Sequence, residues 1–169
     1  MAVIRTIGVL ALWGVVVLAA PVVAEQANPA ALAAAMQDAK ATLEAGLKAS
    51  EREGQPISAK FEIEDGQLQL SVYAAKGDGF VEVVVDPTTA AIVKTEKITG
   101  GDDLKAANIQ TGSLATATQS LQSATEAAVK ANAGFRAVSV VPDLKDGRSV
   151  AVVTLSQGTD FKTVTMPLR

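Results

Sequence analysis

The sequence has 169 residues, of which 49% are hydrophobic, 4% aromatic and 20% charged, a composition that fits one or two small globular domains. It contains no His and no Cys, so nucleophilic triads, thiolate chemistry, zinc sites and haem sites lack the residues on which they usually depend. The formal net charge of −3 provides no basic surface for a nucleic acid, and no nucleic-acid partner is expected.

Residues 1–24 have the pattern of a secretory signal peptide. Arg5 is the one charge, a long apolar stretch follows it, and Val22 and Ala24 fit the small-residue positions before a cleavage site. Cleavage between Ala24 and Glu25 is predicted, which places the mature chain in the periplasm or outside the cell without stable membrane insertion. An uncleaved anchor is the alternative, because the apolar stretch approaches bilayer length. A lipid anchor is excluded because the chain has no Cys to carry it.

Residues 25–98 are predicted to form a first structural unit. Asn28 and Pro29 suit the cap and the first position of a helix, and apolar residues spaced three and four apart extend that helix to about Glu53. Alternating apolar and polar residues then predict four strands, at about residues 59–64, 67–73, 80–86 and 92–98. The pair Asp65-Gly66 is typical of a hairpin turn between the first two of these strands.

Residues 113–169 are predicted to form a second unit, after a linker or loosely structured crossover at residues 99–112. A helix is expected over Ser113 to Ala133, with a closing Gly134. Strands are expected at about residues 136–144, 148–156 and 160–167. The pair Asp146-Gly147 again indicates a hairpin.

Several landmarks recur along the chain at an offset of 81 residues. Asp65 and Asp146 begin the two hairpin turns, and Phe80 and Phe161 begin the strands that follow them. This order favours duplication of one unit, although any two small modules of helix and sheet would share it. The predicted fold class is α+β, as two tandem αβββ repeats of a helix and an antiparallel sheet, with the helices on one side of the sheet.

The first unit also resembles a known family. The helix ending near Gly54, the hairpin at Asp65-Gly66 and the run Phe80-Val-Glu-Val-Val-Val-Asp86-Pro-Thr-Thr are similar to PepSY domains. Ala90 stands where those domains commonly have Gly, and the second unit has no returning strand, so the similarity is weaker over residues 113–168. The resemblance implies regulation by protein contact, as in the propeptides of secreted metallopeptidases and in membrane-associated sensors.

Carboxylates are the remaining candidates for chemistry. Glu62 and Glu64 could act as an acid and base pair, but they lie side by side on one predicted strand instead of opposing each other across a cleft. Asp102 and Asp103, beside Gly100 and Gly101, could contribute to a calcium site, although no spaced set of ligands accompanies them. We therefore expect no enzymatic activity, no cofactor and no bound metal.

The polar face of the first predicted sheet is the candidate binding surface. Its proposed contact residues are Tyr73, Glu82, Glu62, Glu64 and Gln69. Tyr is favoured at protein interfaces, although this one could equally pack against a neighbouring strand or against the second unit. The sequence thus predicts a non-enzymatic exported module that binds a protein of the cell envelope, such as a peptidase or a membrane protein. The alternative is a binding protein for a small ligand or a divalent cation.

Overall fold

A computed structural model describes residues 28–169, so the predicted signal peptide and its cleavage site at Ala24-Glu25 lie outside the described residues. Residues 28–169 contain four helices, which are α1 (Pro29–Ala35), α2 (Leu43–Ser50), α3 (Gly101–Ser113) and α4 (Leu121–Lys130). The seven strands are β1 (Gln55–Glu64), β2 (Gln67–Lys76), β3 (Gly79–Val85), β4 (Ile92–Ile98), β5 (Arg136–Lys145), β6 (Arg148–Gln157) and β7 (Asp160–Pro167). Within the described part of the chain, no helix is long and apolar enough to cross a membrane.

All seven strands form one antiparallel sheet in the order β4-β3-β2-β1-β5-β6-β7. Both predicted Asp-Gly hairpins are present, and Asp65 and Asp146 have positive φ angles of 49° and 51°. Each is followed by a Gly that also has positive φ, the backbone that a two-residue turn of the primed type requires. The turn chemistry of the sequence therefore determines two of the strand connections directly.

The expectation of two tandem αβββ repeats is wrong, although the protein is an α+β protein. The two halves share a single sheet, because β1 and β5 pair directly at its centre, with Ala59 opposite Val140 and Lys60 opposite Ser139. The first half contributes four strands and the second three, and each half contains two helices where one was expected. Backbone hydrogen bonds between β1 and β5 thus join the two halves at the place where a boundary between two units was expected.

The single helix expected over residues 29–53 is in fact two helices. The Thr42 side chain accepts a hydrogen bond from the Ala45 amide at 3.1 Å and so begins α2. The segment between α1 and α2 is fixed by hydrogen bonds to a distant part of the chain, since the amides of Lys40 and Ala41 both donate to the Pro87 carbonyl, which follows β3. Similarly, the helix expected over residues 113–133 is confined to α4, where the Ser120 side chain caps the Ser123 amide.

Helices α1, α2 and α4 cover one face of the sheet and form the core with it. Their buried side chains are Leu32, Leu43, Leu47, Leu121, Ala124 and Ala128. They pack on inward residues of the central strands, among them Phe61, Leu70, Val72, Val83, Val140 and Val153. Along β2, β3 and β6 these inward residues alternate with residues of the opposite face, as the period of two requires.

Helix α3 occupies residues that were expected to form a linker or a loosely structured crossover at 99–112. It contributes no side chain to the main core, and it contacts β1, β2, β5 and β6. The Ser58 hydroxyl, on the face of β1 that points away from α2, donates to Gln110 Oε1 at 2.8 Å. The helices therefore do not all lie on one side of the sheet, because α3 crosses the opposite face.

Candidate binding surface

The polar residues of the first three strands lie together on the face opposite the main core. We call this set the polar face; it consists of Lys60, Glu62, Glu64, Gln69, Ser71, Tyr73 and Glu82. The strand register places Tyr73 directly opposite Glu82 and Glu62 directly opposite Gln69. All five residues predicted from the sequence as a binding surface are therefore brought together by the sheet.

A chain of polar contacts runs across the polar face. Lys60 Nζ lies 2.6 Å from Glu62 Oε2 and 5.7 Å from the centroid of the Tyr73 ring. On the neighbouring strand, Gln69 Nε2 donates to Ser71 Oγ at 2.8 Å. A cation placed over an aromatic ring and paired with a carboxylate fixes the Lys60 side chain at the centre of the face.

Two groups on the polar face have pKa values above their ordinary ranges. Burial raises the pKa of the Glu82 carboxyl, the Ser71 hydroxyl opposes the rise, and the negative charges of Glu62 and Glu64 add to it. Burial also raises the pKa of the Tyr73 phenol, and the nearby Glu82 carboxylate contributes in the same direction. Tyr73 is therefore a neutral phenol at physiological pH, able to donate a hydrogen bond.

One carboxylate oxygen on the polar face has no partner among the described residues. Glu62 Oε1 is buried and makes no hydrogen bond, whereas the other oxygen of the same carboxylate is paired with Lys60. Buried polar atoms are normally hydrogen-bonded. This oxygen is therefore desolvated without a compensating hydrogen bond, which costs the folded chain stability.

The first turn of α3 borders the polar face beside β3 and β4. Asp103, in this turn, is close enough to raise the pKa of Tyr73. Asp103 also lines a shallow groove of about 380 Å³ with Glu82 and Glu96. The sequence reading missed this contribution, because residues 99–112 showed no sustained periodicity.

The Asp102-Asp103 pair does not lie in a loop, as the calcium hypothesis required. Both residues are in the first turn of α3, where acidic side chains suit the positive end of the helix dipole. Asp102 pairs with Lys105 at 2.7 Å, and its side chain is 96% exposed. Within residues 28–169, no group of three or more acidic or His side chains is arranged to hold a metal ion.

A separate cleft of about 510 Å³ lies between the end of α2 and the segment that leads into α4. Its lining combines apolar side chains such as Leu47, Pro56 and Leu114 with the polar residues Glu51, Gln119 and Gln122. It is on the far side of the sheet from the polar face. No sequence pattern pointed to it, because its walls come from two segments that are at least 58 residues apart in the chain.

Comparison with known proteins does not assign a family. No family model matches the chain, and no curated protein matches it. Among solved structures, a candidate lipoprotein from Clostridium difficile 630 matches over 73% of this chain and 81% of its own, with 16% identity and a TM-score of 0.37. At this level of similarity the match assigns neither a family nor a function, and the PepSY resemblance is unconfirmed.

Proposed function

We propose that this protein is a non-enzymatic binding module of the cell envelope, and that its polar face contacts a protein partner. The observation that carries the proposal is the cross-strand pair of Tyr73 and Glu82, on the sheet face opposite α1, α2 and α4 that only α3 crosses among the described residues. The half-buried Tyr73 ring offers apolar area and a neutral hydroxyl in one side chain, a combination enriched at protein interfaces.

The envelope location rests on the sequence of residues 1–24, whose basic start, apolar middle and small-residue end fit an export signal. The resemblance of residues 29–98 to PepSY domains suggests the class of partner, a secreted peptidase or a membrane-bound sensor. In this proposal the protein regulates its partner by occupying a surface and catalyses nothing itself. The absence of His and Cys from the whole sequence is in keeping with that role.

The test is capture of a partner by the purified protein and by variants of the polar face. The immobilised protein is incubated with an extract of its native envelope, and bound proteins are identified by mass spectrometry. Glu64→Lys reverses an exposed charge on the polar face, and Glu82→Gln removes a half-buried one. Glu126→Lys, which changes an exposed charge on α4, is the matched control.

A partner that the wild type and Glu126→Lys capture, but that both face variants lose, supports the proposal. If that partner is a peptidase, its activity is then measured with and without the purified protein, and inhibition that follows the same order of variants supports regulation. Capture that is unchanged in both face variants contradicts the polar face as the binding surface. Turnover by the purified protein that depends on Glu62 or Glu64 contradicts a non-enzymatic role.

A second candidate, binding of a small ligand, is favoured by the cleft between α2 and the start of α4. Its volume of about 510 Å³ falls in the range of small-molecule sites, and its lining is both apolar and polar. A ligand of the folded state must raise the thermal unfolding midpoint. A thermal-shift screen with small metabolites and divalent cations, with Leu114→Trp to fill the cleft as the control variant, distinguishes this candidate from protein binding.

A further inference from the structure

The outer edge of β7 is an unpaired edge whose hydrogen-bonding groups can be assigned. The Leu168 amide donates to the Ser149 carbonyl at 3.2 Å, which continues the β6 and β7 register by one residue. Residues of an antiparallel strand alternate between bonding inward and facing away. The residues of β7 that turn their backbone amides and carbonyls outward are therefore Phe161, Thr163, Thr165 and Pro167.

Pro167 agrees independently with this assignment. Proline has no amide hydrogen and is tolerated in a sheet where its nitrogen faces away from the neighbouring strand. Thr163 and Thr165 are exposed, and no strand of residues 28–169 pairs with this side of β7. Three consecutive outward positions thus retain free donors and acceptors.

The opposite edge of the sheet is protected by comparison. Strand β4 carries Lys94, Glu96 and Lys97 on exposed positions, and its register with β3 shifts between Val84 and Val85. Charges and bulges are the usual devices that discourage pairing at an edge. Strand β7 pairs with β6 without any shift.

The one lysine of β7 does not protect its edge. Lys162 Nζ lies 3.8 Å from the centroid of the Phe135 ring, so the ammonium group is held over the protein's own surface. The outward positions themselves carry no charge. The outward positions of β7 therefore form a regular, uncharged template for another strand.

We propose that β7 pairs antiparallel with β7 of a second copy of this chain, around a two-fold axis at Thr163. Thr163 of one copy then faces Thr163 of the other, and Phe161 faces Thr165 on both sides of the axis. In this register the six amides and six carbonyls of residues 161, 163 and 165 in the two copies can all form hydrogen bonds. The aromatic side chain meets a β-branched one, which is a favourable cross-strand pair.

The neighbouring registers are less favourable for reasons visible in the sequence. An axis placed one residue earlier sets Lys162 directly opposite Lys162, and like charges in that position are destabilising. An axis placed one residue later pairs Phe161 with Pro167, which has no amide to donate. The Thr163 register avoids both, so a second copy fits this edge in one defined alignment.

The pairing would join the two sheets into one, with both core layers on the same side. A two-fold axis perpendicular to the sheet leaves the two polar faces on a common side as well. This interface is isologous and closes after two copies. It goes beyond the proposed binding function, which needs only a single copy.

The test measures the mass of the purified protein by sedimentation equilibrium up to about 1 mM, the weak end of specific association. We expect a monomer that dimerises with concentration. Thr163→Lys places two like charges at the axis and is expected to weaken dimerisation by about tenfold or more. Thr95→Lys makes the same change on an exposed position of β4 and should leave dimerisation unchanged.

A cysteine variant tests the register directly, because the chain has no other Cys. Residues that exchange hydrogen bonds across antiparallel strands have Cα atoms about 5.5 Å apart, within the range that a disulfide spans. Thr163→Cys should therefore form a cross-linked dimer on mild oxidation, whereas Thr95→Cys should not. This arm remains informative if Thr163→Lys fails to fold, which far-UV circular dichroism would reveal.

A protein that stays monomeric at every concentration overturns the proposal. A dimer that is equally stable in Thr163→Lys also overturns it, as does cross-linking that is no more efficient at position 163 than at position 95. Loss of the dimer in Thr95→Lys alone would place the interface at β4 and would overturn it too. Because these measurements need no partner protein, they succeed or fail independently of the proposed envelope function.

Discussion

Ala59 of β1 lies directly opposite Val140 of β5, and both side chains are buried. Val140 is fully buried in the core that α2 and α4 share. The contact joins the two halves of the chain, which also share one core between α2 and α4 and are linked by hydrogen bonds from Arg136 to the carbonyls of residues 36, 39 and 41. The protein should therefore unfold as one cooperative unit and not as two.

The first prediction tests this cooperativity. Val140→Ala should lower the free energy of unfolding by about 2 kcal/mol, since it removes buried methyl groups and leaves a void. Val141→Ala, one position along and 40% exposed, is the control and should change stability by less than about 0.5 kcal/mol.

Two spectroscopic probes make the test specific to the pairing of β1 with β5. Tyr73 is the one tyrosine and reports on the first half once the segment carrying Trp13 is removed, while far-UV circular dichroism reports on the whole sheet. The two urea transitions should coincide in the wild type and move together in Val140→Ala. Transitions that separate would show that the halves unfold independently.

The second prediction concerns Ala90, which has a φ of 60° in the turn between β3 and β4. This left-handed backbone disfavours any residue with a Cβ, so Ala90→Gly should stabilise the protein by up to about 1 kcal/mol. Ala91→Gly is the matched control and should be neutral or destabilising. Urea midpoints decide the matter, and a midpoint that falls in Ala90→Gly would contradict the turn geometry.

That turn also shows which parts of the fold were predictable. The Asp-Gly hairpins and the turn at Asp86 are determined by residues within the turns themselves. The Asp86 carboxylate, for example, accepts hydrogen bonds from the Thr88 and Thr89 amides. The strands they connect could therefore be predicted from the sequence. The break between α1 and α2 could not, because the carbonyls that shape it are bound by Arg136, nearly 100 residues later.

The candidate surface was predictable to the same extent. A period of two places the carboxylates and Tyr73 on one face whatever the rest of the chain does. The position of α3 could not be predicted. Few of its residues face the sheet, little more than Ala107, Gln110 and Ser113, and so short a set gives no clear helical periodicity. Residues such as Asp103 joined the site through tertiary packing, which leaves no local signal.

The third prediction uses the raised pKa of Glu82. A carboxyl whose pKa is higher in the folded than in the unfolded chain favours folding while it is protonated, and that contribution is lost as the pH rises through the folded pKa. Glu82→Gln should therefore be more stable than the wild type at pH 7.5, with a difference that shrinks towards pH 4. Thermal midpoints across this range measure it, and Glu126→Gln serves as the exposed control. A Glu82→Gln protein that is less stable at pH 7.5 would show that the carboxylate is well accommodated.

The fourth prediction concerns Arg136. Its guanidinium donates to the carbonyls of Met36 and Ala39 at 3.0 Å each and of Ala41 at 2.8 Å. The Cζ atom of Arg136 also lies 5.8 Å from the Phe61 ring centroid. Arg136→Lys cannot reach all three acceptors and should destabilise the protein by about 1–3 kcal/mol, because carbonyls in this segment lose their donor.

Hydrogen exchange locates the effect of Arg136→Lys. Amides of residues 36–41 should exchange faster in the variant, while those of β6 should change only as much as the global stability does. Arg148→Lys, in an exposed position of β6, is the control. Uniform acceleration across the whole chain would show that Arg136 does not act on this segment in particular.

The central pairing of β1 with β5 also sets the order in which this protein can assemble. Ala59 and Val140 are about 80 residues apart, so their contact closes a long loop, and such contacts form slowly. A growing chain completes β1 to β4 well before β5 has been synthesised, and until then the outer edge of β1 is open to pairing with other chains. If the chain folds before β5 is available, β1, the central strand of the finished sheet, is left as an exposed edge. We therefore expect this protein to need chaperones that hold the unfolded chain, or rapid completion of the chain, to avoid aggregation.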